Sequence, residues 1–513
     1  MKKNLLKSTF IVSFMTGTSR ITGFLRELAF AYVFGATASL DAFIIAFRIP
    51  NFLRRLFAEG AFSQAFVPVL SEYRQTRSKE EVQVFINHIA GLITTALFCI
   101  TVIAICITPW LMWLFAPGYI HDPTRLELAT SMLRITFPYI LFISLSAFIS
   151  GILNSYGKFS IPAFAPNLLN FALIGAALYL APYFHPPVKA LAWGIFIGGV
   201  AQLLFQLPFL KRINMMPRPQ LLWRDEGVRK VLKLMLPAMF GVSVVQISLF
   251  IDTLFASFLK VGSLSWLYFS DRVTSLPLGM FGVAIATVIL PHLARKNAAK
   301  SQKDFSKALD WAIRFSLIIA VPATIGIILL SGPILTTLLQ YGKFQAFDVL
   351  MAQRSLIGFA VGIPAFMLVK IFASGFYAKQ NIKTPVRIAM IAVSANITLD
   401  AVLIIPLAHA GLALATSIST TINALLLFLL LRNKKVYIPS SGWVKFLGQL
   451  LLGGAVMCGI IWFLNADLTV WFKWTCFSRA FHLALLLGAA TLGYIGSLWV
   501  CGMRVQHFLL PED

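Results

Sequence analysis

Charged residues are scarce in this 513-residue sequence. They make up 12% of it, whereas ordinary soluble domains contain about 25%. Hydrophobic residues account for 58%, and the mean hydropathy is +0.82. A soluble fold with so few charges would leave most of its surface apolar. The composition therefore predicts a polytopic membrane protein and argues against soluble enzymes.

Several motifs of catalysis and metal binding are also absent. The sequence contains no G-x-x-x-x-G-K-[ST] loop for ATP and no H-E-x-x-H zinc motif. Its five cysteines form no C-x-x-C pair and no Cys/His cluster, so neither disulfides nor zinc are expected. Any transport must therefore be driven by an electrochemical gradient.

Long apolar segments dominate the chain. A transmembrane helix needs about 20 apolar residues, and residues 91–119 and 318–342 contain no charge at all. Residues 406–411 are predicted to form a turn between two helices. We predict an all-α polytopic membrane protein with fourteen transmembrane helices, near residues 5–34, 40–69, 84–115, 127–154, 163–182, 188–210, 232–259, 263–293, 308–331, 347–377, 385–406, 409–431, 443–464 and 480–503.

Basic residues outnumber acidic ones, with 43 Lys and Arg against 19 Asp and Glu, for a net charge of +24. If the N-terminus lies inside, the basic residues concentrate in alternate loops, as the positive-inside rule requires of cytoplasmic loops. We therefore expect both termini in the cytoplasm and no nucleic-acid binding. The N-terminal segment lacks a clean apolar core and a small-residue cleavage site, so it is interpreted as a retained first helix.

The two halves of the chain repeat weakly. Because the offset covers six predicted helices, both halves have the same membrane orientation, which is typical of a two-lobed transporter. The predicted organisation is an N-terminal lobe at 1–210, a cytoplasmic linker at 211–231, a pseudo-symmetric C-terminal lobe at 232–432 and two additional helices within 433–513. Four residues recur at an offset of 223 or 224 positions: Pro68 with Pro291, Pro162 with Pro385, Pro109 with Pro333, and Gly118 with Gly342.

Arginines interrupt the apolar segments of predicted helices 1, 2 and 8. Each would cost roughly 2.5–3.5 kcal/mol at the bilayer centre, so these side chains are expected to line a watery cavity. A cavity with excess guanidinium groups suits an anion such as a diphosphate, whose oxygens match the planar guanidinium fork. The alternative is snorkelling at helix ends combined with internal ion pairs. The cationic side chains Arg20, Arg26, Arg48, Arg54 and Arg272 outnumber the acidic Asp41, Glu59 and Asp271.

The segments around these arginines are similar to those of one transporter family. Residues 19–27, 41–62 and 341–344 closely resemble the MurJ (MviN) lipid II flippases of the MOP exporter superfamily. The resemblance implies a bacterial inner-membrane protein that exports the lipid-linked peptidoglycan precursor lipid II for cell-wall biogenesis and cell shape. It also implies alternating access of two lobes and a lipid-tail groove formed by the last two helices.

The resemblance also suggests which residues bind the substrate. We expect a monomer that works among membrane lipids, near cell-wall synthesis enzymes. Glu27 stands where relatives often have Asp, so the charge is kept. The family's cavity residues map onto Arg20, Arg26, Asp41, Arg48, Asn51, Arg54, Glu59 and Arg272.

A second polar group lies deep in apolar sequence. Asn396 and Asp400 are four residues apart and so share a helix face, and Asp252 and Thr416 lie on two other predicted helices. Their oxygens suit a small cation, and some members of the resembled family bind sodium with such a set. The alternative is an interhelical hydrogen-bond network with one protonated Asp. No cofactor other than a possible Na⁺ is expected.

Three other functions compete with lipid II export. The nearest is a flippase for another polyprenyl-diphosphate-linked glycan. A polyprenyl-donor glycosyltransferase or ligase would also need arginines, but the predicted outside loops are too short to bind an acceptor. A cation antiporter is disfavoured because the expected cavity is cationic. The sequence therefore favours a transporter rather than an enzyme.

Overall fold

The computed structural model describes residues 2–55, 62–222 and 225–504, and every regular element within these ranges is helical. The chain divides into two compact units, Met1–Gly262 and Ser263–Asp513. The all-α fold expected from the apolar segments is confirmed for the described residues.

In the first unit, α1 packs along α8, while α7 and α8 both pack on α9. Phe66 lies at the centre of an aromatic core, with ring centroids 6.0 Å from Phe85 and 5.1 Å from Phe148. The α-helices of this unit within the described ranges are α1 (Lys2–Phe34), α2 (Ala38–Arg54), α3 (Phe62–Thr76), α4 (Lys79–Cys106), α5 (Thr108–Phe115), α6 (Pro123–Thr136), α7 (Tyr139–Ser155), α8 (Ser160–Gly175), α9 (Lys189–Arg212) and α10 (Glu226–Ser257).

In the second unit, α17 packs on α18, α19 on α21, and α13 on both α16 and α19. Leu309, Phe372 and Leu427 are buried in its core. Its α-helices within the described ranges are α11 (Ser263–Pro277), α12 (Val283–Ala298), α13 (Gln302–Leu329), α14 (Ser331–Leu339), α15 (Ala346–Ala360), α16 (Ile363–Ala378), α17 (Lys383–Leu407), α18 (His409–Asn433), α19 (Trp443–Leu464), α20 (Leu468–Lys473) and α21 (Cys476–Val500).

Eleven helical segments of the described chain are long and apolar enough to cross a membrane. Three of them join two helices each: α6 with α7, α11 with α12, and α15 with α16. The predicted helices outside this set are the first, second and seventh. The first two contain the arginines that lower their apolarity, and residues 56–61 of the second lie outside the described ranges. The fourteen-helix arrangement therefore stays a prediction.

The predicted break between helices 11 and 12 is confirmed. Helix α17 ends at Leu407 and α18 begins at His409, with Ala408 between them in the left-handed region at φ 48°. Helix α10, which the sequence assigned to the C-terminal lobe, packs against α3 and belongs to the first unit. The lobe boundaries at 210, 231 and 432 stay predictions.

Candidate functional site

The guanidinium of Arg26 on α1 is held from two directions. It forms an ion pair with the neighbouring Glu27, which is buried, and it donates from Nη1 to Oδ1 of Asn170 on α8 at 3.0 Å. Asn170 in turn donates from Nδ2 to the Thr22 hydroxyl at 3.0 Å, and that hydroxyl donates to Oδ1 of Asn167 at 2.9 Å. The side chains between α1 and α8 thus form a polar network around one arginine.

Arg20 lies on the same helix as Arg26 but in a different environment. Its side chain is exposed, whereas Arg26 is half-buried and its guanidinium lies 5.8 Å from the Phe30 ring centroid. A guanidinium above an aromatic ring is stabilised by the ring quadrupole. The first helix therefore presents one exposed arginine and one arginine that is oriented by its neighbours.

Arg48 on α2 is oriented by α10. It donates to the hydroxyl of Thr253, which is 2% exposed, and to the Leu249 backbone carbonyl at 3.2 Å. The Thr253 hydroxyl also donates to the Leu249 carbonyl at 2.8 Å. These oxygens belong to neutral groups, and the two hydrogen bonds fix the direction of the guanidinium.

Asn51 and Arg54 form a pair one turn apart on α2. Nε and Nη2 of Arg54 lie 3.0 and 2.8 Å from Oδ1 of Asn51, and both side chains are half-buried. The amide thus holds the guanidinium against its own helix. Glu59, the next acidic residue assigned to the site, lies outside the described residues.

Asp41, near the start of α2, is buried and hydrogen-bonded to the backbone of Gly262. It is 1% exposed, and its Oδ2 accepts a hydrogen bond of 2.6 Å from the backbone N–H of Gly262. A buried carboxylate that accepts a backbone N–H satisfies a donor that would otherwise be costly to bury. This carboxylate therefore fastens the chain segment that follows α10 to α2.

In the second unit, Arg272 lies on α11. It is half-buried, and its guanidinium is 4.9 Å from the ring centroid of Tyr268, one turn earlier on the same helix. The neighbouring Asp271 is exposed. This places one further arginine of the predicted site within a membrane-spanning segment, Ser263–Ala298.

The structure adds residues that sequence reasoning missed. Asn167 and Asn170 hold the polar side of α8, and Thr253 holds Arg48 from α10. A signal was present, because two asparagines three residues apart in an apolar segment lie on one helix face. Thr253 gave no comparable signal, since threonine hydroxyls in membrane helices often bond to their own backbone.

Comparisons with known proteins identify the family of this chain. A family model described as "Lipid II flippase MurJ" matches residues 30–482. The chain belongs to the MurJ family. A "Probable lipid II flippase MurJ" of Haemophilus influenzae is 44% identical over 508 residues, which cover 96% of this chain and 99% of that protein. A "Lipid II flippase MurJ" of Burkholderia cenocepacia is 42% identical and is matched over 98% of this chain and 99% of its own length.

A solved MurJ structure also resembles this fold. The structure titled "Lipid II flippase MurJ, inward closed conformation" covers 96% of this chain and all of its own, with a TM-score of 0.79 and 28% identity. An inward-facing MATE-family multidrug transporter of the MOP superfamily matches 83% of this chain with a TM-score of 0.70. At 15% identity, that second likeness extends to the fold alone. The expected MurJ membership and MOP-type fold are confirmed.

The second polar group divides between the two units. Asp252 belongs to the first unit, whereas Asn396, Asp400 and Thr416 belong to the second. Nδ2 of Asn396 donates to Oδ2 of Asp400 at 2.8 Å, and the Ser419 hydroxyl donates to Oδ1 of Asn396 at 2.8 Å. In this arrangement the amide presents N–H to the carboxylate, and its oxygen accepts from a hydroxyl.

A sodium ion bound by Asn396 and Asp400 together stays a prediction. A cation binds the carbonyl oxygen of an amide, so the amide would have to turn over before both side chains supplied oxygens. The hydroxyl of Thr416 donates to the Leu412 carbonyl of its own helix at 3.0 Å. Ser419, which the sequence analysis did not single out, takes part in the network instead.

Proposed function

We propose that this chain is a flippase that moves lipid II from the cytoplasmic to the outer leaflet of the bacterial inner membrane. It would act as a transporter and not as an enzyme, supplying peptidoglycan precursor for the cell wall. Membership of the MurJ family over nearly the whole chain supports this proposal. The relatives that match along their full length are named as lipid II flippases.

The proposed topology has fourteen transmembrane helices with both termini in the cytoplasm. The three remaining spans are the predicted helices at 5–34, 40–69 and 232–259, where the described residues form α1, then α2 and α3, and α10. These additional helices contain charged residues in place of some apolar ones, as helices that line a polar pathway do. Two lobes of six helices would then be followed by two additional helices, within a monomer that works near cell-wall synthesis enzymes.

The observation that supports this function best is the pair of oriented arginines in the first unit. Arg26 is directed by Asn170, and Arg48 is directed by Thr253, each across a helix–helix contact. A guanidinium group can bind phosphate oxygens through two parallel N–H···O hydrogen bonds. When the group is already oriented, less binding energy is lost in ordering it than for a mobile side chain. A diphosphate attached to a sugar is the anionic part of lipid II that such groups would bind.

The proposed transport step is a change in which leaflet the arginine site can reach. The headgroup would be bound by Arg20, Arg26, Arg48, Arg54 and Arg272, while the isoprenoid tail would lie in a groove of the last two helices that is open to the lipid phase. The membrane potential, inside negative, favours outward movement of an anion. Each elementary charge gains about 2.3 kcal/mol per 100 mV, so a dianionic headgroup gains about twice that without a co-transported ion.

The test is to deplete the protein in its host and identify the lipid-linked intermediate that accumulates. Plasmid-borne Arg26→Ala, Arg48→Ala and Arg272→Ala are expected to insert normally but to leave lipid II in the inner leaflet. Lys303→Ala, at an exposed position at the start of α13, is the matched control and should restore growth. If a different polyprenyl-diphosphate glycan accumulates, that glycan and not lipid II is the substrate. If cells grow with each of the three alanine variants, the arginine site is refuted.

A further inference from the structure

The C-terminal helix pair, α19 with α21, is joined to the rest of the second unit by two buried charges that the proposed transport site does not use. Asp310 on α13 is 4% exposed, and Arg479 near the start of α21 is 6% exposed. A buried charge is costly unless it is paired and fully hydrogen-bonded. Each of these residues therefore needs a structural explanation.

Asp310 accepts hydrogen bonds from the segment that leads into α19. The hydroxyl of Tyr437 donates to it at 2.5 Å, the hydroxyl of Ser440 at 2.5 Å and the indole Nε1 of Trp443 at 2.8 Å. Burial, together with the bond to Asp310, raises the pKa of the Tyr437 phenol, so its hydroxyl remains a donor. One carboxylate thus binds three side chains of the segment that leads into α19.

Arg314, one turn further along α13, completes this cluster. Its Nε donates to Asp310 at 2.8 Å, and its Nη2 donates to the Ser440 hydroxyl at 2.9 Å and to the Ser441 carbonyl at 3.1 Å. The guanidinium also lies 4.8 Å from the Trp443 ring centroid. The negative charge of Asp310 is therefore balanced locally, and the start of α19 is held by bonds and by stacking.

Arg479 performs the corresponding task at the other end of the pair. Its guanidinium donates to four backbone carbonyls: Trp471 at 3.0 Å, Phe472 at 2.8 Å, and Thr336 and Gln340 at 3.3 Å each. These carbonyls end the short helices α20 and α14. A cation near the N-terminus of α21 is unfavourable, because a helix N-terminus carries partial positive charge. The C-terminal ends of α14 and α20 carry partial negative charge, and both lie against the Arg479 guanidinium.

We infer that Asp310 and Arg479 are positioning residues that fasten the C-terminal helix pair to the second unit at both ends, so that the pair moves with that unit as one rigid body. A third contact lies between them, where the Tyr494 hydroxyl of α21 donates to the Ile318 carbonyl of α13 at 3.1 Å. The pair is thus joined to α13 at two points and to α14 at a third.

A rigid attachment of the helix pair would also affect transport, provided that the proposed function holds. If the last two helices hold the isoprenoid tail, the tail would move together with the second unit. The helix pair would then not move independently of that unit during transport. Loosening either anchor should therefore slow transport at saturating lipid II without weakening lipid II binding. A residue that only stabilises the fold would lower the amount of active protein and leave the turnover of the folded fraction unchanged.

The test is a pair of spin-label distances in lipid nanodiscs, after the five native cysteines have been replaced by serine. Labels at Val444 and Ile382 report on the Asp310 end, and labels at Phe477 and Phe347 report on the Arg479 end. All four positions are exposed. We expect a single narrow distance for each pair, unchanged by adding lipid II.

The variants should act on one end each. Asp310→Ala should abolish the narrow distance only between Val444 and Ile382, and Arg479→Gln only between Phe477 and Phe347. If these variants fail to fold, the milder Ser440→Ala and Arg479→Lys replace them, because they remove fewer hydrogen bonds. The control is Lys445→Gln, at an exposed position, which should change neither distance.

Two distances in the wild-type protein, or variants that alter neither end or both ends equally, would overturn the rigid attachment. If each variant broadens only its own distance but transport turnover stays normal, the two residues are confirmed as anchors of the helix pair. Only the link between the anchors and transport is then refuted.

Discussion

Asn170 gives the sharpest test of how the arginine site is built, because it is the residue on α8 that directs Arg26. Its Oδ1 accepts from Arg26 at 3.0 Å, while its Nδ2 donates to the Thr22 hydroxyl at 3.0 Å and to the Ser19 carbonyl at 3.2 Å. Asn170→Leu keeps the approximate volume and removes all three bonds. Arg26 would then keep its ion pair with Glu27 but lose its hydrogen bond to Asn170 across the helix interface.

The size of the effect follows from the bond that is lost. A hydrogen bond to a charged group contributes about 1.5–3 kcal/mol in soluble proteins. Interhelical bonds in membranes average about 0.6 kcal/mol and reach about 1.7. The membrane values apply here, because α1 and α8 would lie within the bilayer. Since about 1.4 kcal/mol is a factor of ten, transport should fall about 3- to 20-fold.

The assay is export of lipid II in spheroplasts, read as cleavage by a lipid II hydrolase added from outside. Thr22→Val is the matched control, because it breaks bonds in the same network, including the 2.9 Å bond to Asn167, but leaves Arg26 bonded to Asn170. Asn170→Asp should be worse than Asn170→Leu, since a carboxylate beside Arg26 would neutralise the charge offered to a diphosphate.

Three results would refute this reasoning. The first is equal transport by Asn170→Leu and Thr22→Val at equal protein levels. The second is an Asn170→Asp variant that transports as well as the wild type. The third is a thermal unfolding midpoint that falls in proportion to transport across all three variants, because Asn170 would then act only through stability.

The remaining predictions concern energy, sodium and packing. Collapsing the membrane potential while ATP remains high should halt export, and continued export in depolarised cells would contradict a potential-driven mechanism. The hydrogen-bond network predicts that Asp400→Asn changes little and that sodium does not stabilise the purified protein, whereas saturable stabilisation by Na⁺ but not K⁺, lost in Asp400→Asn, would establish an ion site. Gly118→Ala should lower the unfolding midpoint by the equivalent of about 1–3 kcal/mol, because an added Cβ would lie 2.3 Å from the Ser257 carbonyl oxygen, whereas Gly175→Ala, with open space around it, should not.

The sequence by itself determined the fold class and the family. The scarcity of charge forces the chain into a membrane, where every backbone polar group must be satisfied within helices. Long apolar runs therefore predicted helix positions closely, as at α19, which spans the expected residues 443–464. The segments at 19–27, 41–62 and 341–344 pointed to MurJ because their motifs resemble those of that family.

Only the tertiary structure decided which side chains meet. The sequence assigned Asp41 to the substrate site, and only the structure shows that its carboxylate accepts a backbone N–H from Gly262, 221 positions away. Asn396 and Asp400 were correctly expected on one face, but the direction of the amide depends on Ser419 from the next helix. No sequence pattern singles out Arg479, whose four carbonyl partners are brought to it by α14 and α20. Helical periodicity gives the face on which a residue lies, whereas its hydrogen-bond partners are set by the helices that pack there, and no local pattern encodes that packing.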